Sequence, residues 1–340
     1  MTIETVERLE ELLSEPTDYA VEAMRELDGD VIVLGAGGKM GPSLTTMAKR
    51  ASDLAGNKRR VIAVDRWPSS EQEDKLKAAG VETVKCDLLD PDELAKLPDA
   101  PNVLFMVGVK FGTSGQQGLT WAINSYLPGL VCNRYRNSRI VAFSTGNVYG
   151  LVPVAGSGSV ETDDLNPVGE YAMSALGRER VLDYFSRAHG IPVTIVRLNY
   201  ACEMRYGVLV DVARKVFAGE SLDLSMGYLN TIWQGDSNAV TLAAFVLADS
   251  PPFVFNITGR EKLSIKTVAG QFGELMGKKP TFTGTESPDA LLSDSSKAFE
   301  LFGHPRVDEK QLIPWIADWV ARGGESLGKP THFESRDGKF

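Results

Sequence analysis

Val31-Ile32-Val33-Leu34-Gly35-Ala36-Gly37-Gly38-Lys39-Met40-Gly41 is an apolar run that stops at a glycine cluster and passes into a segment of helical character. The run has the length of a buried strand, and the residues after it, about 39–53, have the pattern of a helix. Gly35, Gly38 and Gly41 stand at the spacing Gly-x-x-Gly-x-x-Gly, and Gly37 also admits a Gly-x-Gly reading. Glycine lets the backbone turn sharply and approach a pyrophosphate, while a helix N-terminus offers unpaired N–H groups and the positive end of its dipole. Lys39 and Met40 belong to the same loop.

Working outward, the alternation continues. Strands are expected at 60–65, 81–87, 102–108, 139–145 and 192–199, with helices near 70–79, 116–136 and 167–189 between them. Parallel neighbours need such crossovers, so the chain predicts a parallel sheet covered on both faces. The second strand ends in Asp65, at the distance where a carboxylate meets the hydroxyls of an adenosine ribose and repels a 2′-phosphate. That favours NAD. Arg66 follows at once and leaves NADP open. Beyond Asn199 the pattern is irregular: a helix at 208–218, a short strand at 231–234, a helix at 238–249 capped by Asp236, a strand at 253–259, a helix from Ser264 to Met276 closed by Gly277, and a last helix at 308–322. The polar tail Thr-His-Phe-Glu-Ser-Arg-Asp-Gly-Lys-Phe, residues 331–340, gains order only through contacts. Residues 3–27 form an amphipathic segment interrupted at Pro16, an extension suited to packing on the domain or on a second subunit.

Composition narrows the classes. The 340 residues are 43% apolar and 24% charged, an ordinary globular balance. A net charge of −9 disfavours nucleic acid and anionic membranes as partners. No apolar run reaches membrane-spanning length, and the acidic N-terminus lacks the features of a signal peptide. Cys86, Cys132 and Cys202 show no paired spacing, and His189, His304 and His332 show no metal-ligand spacing. A cytoplasmic enzyme without a metal is expected.

Four further segments carry a resemblance. They are Cys86-Asp87-Leu88, Asn124, Phe143-Ser-Thr-Gly-Asn-Val-Tyr-Gly150, and Pro167-Val-Gly-Glu-Tyr-Ala-Met-Ser-Ala-Leu-Gly-Arg-Glu179. Together with the glycine loop they resemble the extended short-chain dehydrogenase/reductase family, which includes the NAD-dependent epimerases and dehydratases, over roughly residues 30–320. The resemblance implies an α/β fold, a Rossmann-type doubly wound parallel sheet with a smaller C-terminal substrate-binding lobe. It divides the chain into an N-terminal extension (1–28), a dinucleotide-binding core (29–200) and a lobe interleaved with that core (201–340). It implies NAD at the glycine loop, with Asp87 and Leu88 at the adenine and Val107 and Gly108 beside the cofactor. It also implies a homodimer through the helices near 116–136 and 167–189.

By the same resemblance Thr145 is the hydroxyl and Tyr171 the acid/base over the nicotinamide. The family's lysine, one helical turn after the tyrosine, is Ala175 here, so the usual lowering of the phenol's pKa is missing. Arg178 and Lys110 are the substitute cations. Gly146-Asn147 stand where sugar-nucleotide dehydratases carry Asp-Glu, and Asn199 to Arg205 depart from the family's Asn-x-x-Gly-Pro. A carbohydrate without a nucleotide, such as a free sugar or sugar acid, therefore enters as a substrate. Lys110, Phe111 to Ser114, Asn147, Tyr149, Tyr200, Arg205 and Trp233 are the substrate-side expectations. Three functions follow: an NAD-dependent epimerase or oxidoreductase acting on a carbohydrate with altered proton transfer, a non-catalytic NAD(P)-binding redox sensor or scaffold, or a lyase or isomerase that uses the pocket without redox.

Overall fold

Seven strands form one sheet: β1 (Val31–Leu34), β2 (Val61–Asp65), β3 (Glu82–Lys85), β4 (Asn102–Phe105), β5 (Arg139–Thr145), β6 (Val193–Leu198) and β7 (Phe253–Ile257). The computed structural model describes residues 2–67, 70–110 and 115–339. The strand order is β3-β2-β1-β4-β5-β6-β7, and every pairing is parallel. β1, β4 and nearly all of β5 and β6 are buried, which is why they read as unbroken apolar runs. The order reverses between β1 and β4, and ligands of open α/β sheets bind in the crevice above such a switch point.

The crossover helices are α3 (Gly41–Leu54), α4 (Ser70–Ala78), α5 (Pro91–Lys96), α6 (Gln117–Trp121), α7 (Leu127–Arg134) and α8 (Gly169–His189), after α1 (Val6–Leu13) and α2 (Asp18–Glu26) at the N-terminus. Each face of the sheet has its own core. Leu44, Met47, Leu104, Val141 and Phe255 lie in one, and Ile32, Phe105, Leu127, Cys132 and Ile195 in the other. Leu119, Trp121, Tyr126, Met173 and Tyr184, on α6, α8 and the turn after α6, stay exposed.

A third core belongs to the lobe built by α9 (Val208–Ala218), α11 (Ile265–Met276) and α13 (Glu309–Ala321), while α10 (Gln234–Ala243) and α12 (Ser296–Phe302) pack on the sheet through Leu242 and Ala298. Val212, Leu222, Phe272, Ile316 and Trp319 fill it, and Leu9 and Leu13 of α1 join them. Ala20 and Met24 of α2 pack instead on the sheet's core. The N-terminal extension thus packs on its own chain. β7, drawn from beyond residue 200, is the edge strand opposite β3.

Four expectations about elements change, the first being the fourth strand, which ends at Phe105 and not at 108. Asp236 is not the cap of a helix at 238–249. α10 begins at Gln234 and ends at Ala243, and Asp236 is buried inside its first turn, accepting from Arg306 Nε at 2.8 Å and from the Val307 amide at 3.0 Å. The third strand is shorter than 81–87 and lies at the sheet edge, with both ends exposed. The helix near 116–136 is broken by a π turn over Ala122–Tyr126. There the Asn124 carbonyl accepts from the Arg178 guanidinium at 3.2 Å, and a carbonyl drawn aside in this way loosens the helical ladder. Ser264 caps α11 and Gly277 closes it at φ +64, as the sequence predicts. No helix among the described residues is long and apolar enough to cross a membrane.

Candidate active site

The crevice opens where Leu34 of β1 pairs with Phe105 of β4. Gly35 has φ +91, and a Cβ there would fall 2.9 Å from the Val107 amide nitrogen. Glycine is what lets the two loops touch. A Cβ on Gly41 would run into the Ala36 carbonyl. α3 starts at Gly41 with a proline in its first turn and no capping side chain, the arrangement that presents helix N–H groups to an anion.

Asp65 accepts from the Gly37 amide at 2.9 Å and from the Arg66 amide at 2.7 Å. A Cβ on Gly37 would lie 2.9 Å from its carboxyl carbon, so the carboxylate sits against the glycine loop. Asp65, Arg66, Asp87, Leu88, Gly37 and Val107 line a cavity of about 230 Å³. A second cavity, of about 300 Å³, extends toward α8. The two share Gly35, Gly38, Met106 and Gly108. Two chambers joined across a glycine loop fit a dinucleotide: an acid for the adenosine ribose in one, the pyrophosphate at the loop, and the nicotinamide end in the other.

Thr145, Asn147, Tyr171, Ala175, Arg178, Lys110, Tyr200, Lys39 and Met40 line the second chamber. Thr145 ends β5, and its hydroxyl accepts from the Asn147 side chain at 2.9 Å and is hydrogen-bonded to the Tyr171 phenol. Burial raises the Tyr171 pKa, while the Thr145 hydrogen bond and the Arg178 charge pull it back. Ala175 is buried and reaches neither group. Arg178, only 6% exposed, lies one turn further along α8. Its Nη1 donates to the Phe143 carbonyl at 2.8 Å, Nη2 to Asn124 Oδ1 at 3.1 Å and Nε to the Asn124 carbonyl. Burial lowers its pKa to about 10, which leaves it charged at neutral pH. Asn124 in turn bonds Val109 through both N–H and C=O, at 3.0 and 2.9 Å, and Ser174 Oγ at 2.9 Å.

Two amines look into the chamber. Lys110 Nζ is 5.8 Å from the Tyr171 ring centre and 5.9 Å from that of Tyr200. Lys39 Nζ donates to the Ala201 carbonyl at 3.2 Å and lies 4.2 Å over the Tyr206 ring. Burial brings both lysines down to about 8.

Three expected substrate residues lie elsewhere. Tyr149 is buried in a polar network that does not line the chamber. Its hydroxyl donates to Asn256 Oδ1 at 2.7 Å and accepts from Arg197 at 2.8 Å, and burial pushes its pKa up to about 12. Arg197 in turn pairs with buried Glu179 at 2.7 Å. Arg205 is held by Glu203 at 3.2 Å and by Glu10 of α1 at 3.2 Å, so it fastens the N-terminal extension. Trp233 is buried in the lobe core, edge-on to Trp315 at 5.9 Å. Phe111 to Ser114 lie outside the described residues. The structure adds Met106, Asn199, Tyr206 and Thr331 to the lining. Asn199 and Tyr206 flank the segment that follows β6 and carried a local signal. Thr331 is too far along the chain to have one.

The family model described as NAD dependent epimerase/dehydratase family matches residues 31–202. No match to a curated protein was found. Among solved structures, the chain is similar to a UDP-glucuronic acid 4-epimerase from Bacillus cereus in complex with NAD, at 19% identity and a TM-score of 0.72, over 88% of this chain and 99% of that one. A UDP-glucose 4-epimerase from Thermotoga maritima aligns at 18% identity and a TM-score of 0.70, over 86% and 99%. A dTDP-glucose 4,6-dehydratase from Bacillus anthracis, in complex with NAD, aligns at 16% identity and 0.71, over 87% and 97%. At these identities the likeness speaks for the fold.

Asp65→Ala removes the one carboxylate that faces the glycine loop from β2. The expected result is NAD affinity lower by roughly 10–100-fold, the worth of charge-assisted hydrogen bonds to a ribose, with a smaller preference over NADP. Titration of both cofactors, followed by tryptophan fluorescence, measures it. Unchanged NAD affinity would contradict the assignment.

Proposed function

Because the chain belongs to the NAD dependent epimerase/dehydratase family, and is an NAD-dependent enzyme of it, we propose that it oxidises a secondary alcohol of a carbohydrate, as an epimerase or an oxidoreductase, with a rebuilt proton-transfer site. One observation carries the reading. Tyr171 and Thr145 are hydrogen-bonded to each other in the chamber that opens from the glycine loop, and Arg178 supplies the charge that Ala175 does not.

Gly35, Gly37, Gly38, Lys39, Met40 and Gly41 would hold the pyrophosphate, Asp65 and Arg66 the adenosine ribose, Asp87 and Leu88 the adenine, and Val107 and Gly108 would form the wall toward the nicotinamide. NAD, when bound, would supply a hydride acceptor at the nicotinamide end of the chamber. Thr145 orients the substrate hydroxyl. Tyr171 would take that hydroxyl's proton on its phenol oxygen and could give it back. A buried phenol is a scarce base at neutral pH. Arg178 compensates through space, since its donors are already committed to Asn124 and Phe143. Lys110, Asn147 and Tyr200 meet the substrate. Three buried free thiols go with a cytoplasmic location.

A homodimer goes with the same reading, formed over the exposed Trp121 of α6, Tyr126 of the turn after it, and Met173 and Tyr184 of α8. Light scattering in dilute buffer is expected to report twice the 36.9 kDa chain mass, and a monomer mass would exclude it.

Turnover, on whichever member of a panel of sugars and sugar acids reacts, is expected to climb on the alkaline side of neutrality. Tyr171→Phe is expected to lower kcat by roughly 10²–10⁴-fold while NAD still binds. Ala175→Lys brings a cation to the phenol, lowers its pKa and is expected to move the rise toward neutral pH. Unchanged turnover in Tyr171→Phe would overturn the role of Tyr171. NAD binding with no turnover of any panel member would favour the redox sensor that Ala175 also suggests.

A further inference from the structure

The glycine loop and the lobe meet through one amine. Lys39 stands two residues ahead of α3. It lines the nicotinamide-side chamber with Gly35 and Gly38, and the adenosine-side cavity does not include it. Its Nζ crosses to the segment after β6, where it donates to the Ala201 carbonyl at 3.2 Å and lies 4.2 Å over the Tyr206 ring. That segment is held firmly. Glu203 and Tyr206 exchange backbone hydrogen bonds at 2.9 and 3.3 Å, which closes a tight turn. The Glu203 side chain is 1% exposed and accepts from the Arg205 amide at 2.7 Å and from Arg205 Nε at 3.2 Å. Arg205 reaches on to Glu10 of α1.

The charges around Lys39 come from both walls. Burial works against its ammonium, and the Glu203 carboxylate is the largest group that works for it. Burial keeps the neighbouring Cys202 thiol and Tyr206 phenol protonated well above neutral pH, and Arg205 is an opposing cation. Across the chamber stand Lys110, Tyr171, Tyr200 and Arg178, with Asp211 of α9 acting on Lys110 and Tyr206. An ammonium has three donors. Among the described residues one acceptor, the Ala201 carbonyl, is hydrogen-bonded to Lys39. Donors therefore remain for an anion at the uncapped N-terminus of α3, on the chamber side.

We propose that Lys39 and Glu203 act as a pair at the junction of the two chambers: the Lys39 ammonium would meet the nicotinamide-side phosphate of the dinucleotide, and Glu203 is the positioning residue that holds this charge there. The proposal rests on the glycine loop being the pyrophosphate site and names which phosphate the lysine reads. It also makes the lobe part of the cofactor site, since the residues that fix Lys39 follow β6, and Arg205 extends the link to the N-terminal extension.

Fluorescence titrations with NAD, ADP-ribose and AMP, between about pH 6 and 10, test it. NAD affinity is expected to hold at neutral pH and to fall as the pH rises through about 8, where the amine loses its proton. Lys39→Met is expected to weaken NAD and ADP-ribose by roughly 10–100-fold at neutral pH, to leave AMP little changed, and to abolish the alkaline fall. Lys39→Arg, charged throughout, is expected to keep the affinity and also lose the fall, and it serves if Lys39→Met does not fold. Glu203→Gln removes the attraction that opposes burial, so the fall is expected at lower pH. Lys110→Met, the control for the second amine of lowered pKa, is expected to leave the fall in place. AMP weakened as much as NAD by Lys39→Met would overturn the phosphate contact. A fall that survives both Lys39 variants, or one that Glu203→Gln does not move, would overturn the pair. An unaltered protein that binds neither NAD nor AMP would overturn the glycine-loop site itself.

Discussion

One buried guanidinium ties together the elements that meet under the crevice. Arg178 of α8 holds the Phe143 carbonyl of β5 and both oxygens of Asn124, and Asn124 holds the loop after β4 through Val109. Phe105 stacks beneath it at 5.3 Å, and Gly108 lies so near that a Cβ would be 3.0 Å from Nη2. Removing such a cation would leave three oxygens short of a donor in a low-dielectric interior, the costly direction of the hydrogen-bond balance. The helix bearing Tyr171, the strand ending in Thr145 and the wall bearing Lys110 are registered against one another by this group. With alanine at 175, Arg178 is the cation of α8 whose charge acts on Tyr171.

The C-terminal lobe stands in a similar relation to the substrate side. Its core, shared with Leu9 and Leu13 of α1, supports α9 and anchors Phe333. Arg205 and Arg306 link that lobe to the N-terminal extension through Glu10 and the Glu15 carbonyl. The first and last segments of the chain therefore brace one lobe, and the tail reaches the chamber wall at Thr331. Thr331 on the chamber wall is thereby continuous with Phe333 in the core.

Much of this was legible in the sequence, for local reasons. The glycine loop, β5, the start of α8 and the Ser264–Gly277 helix each carry their signal within a few residues, as turn chemistry, caps or periodicity. The nicotinamide-side chamber does bring Thr145, Tyr171, Asn147, Tyr200 and Lys110 together. The misplacements share one cause. Tyr149, Arg205 and Trp233 stand at strand ends and loops where a ligand residue would stand, but their partners are Arg197 and Asn256, Glu10, and Trp315, distant in sequence. Polar residues near a crevice are divided between ligand and scaffold by contacts of that range. Thr331 escaped notice for the converse reason: a polar tail has no periodicity, and its order comes from Asp211, Asp289 and the cavity that takes Phe333. The π turn at Asn124 follows from a contact with Arg178 and has no local signature.

The central claim is that Tyr171 is governed by burial and by Arg178 in place of a neighbouring lysine. Its ionisation can be followed directly, by NMR titration of protein carrying ¹³C-labelled tyrosine, with Tyr171→Phe to assign the signal. The account predicts a phenol that titrates above the ordinary tyrosine value and moves higher still in a folded Arg178→Gln variant. A Tyr171 that titrates below the ordinary value, or one that Arg178→Gln leaves unmoved, would contradict it.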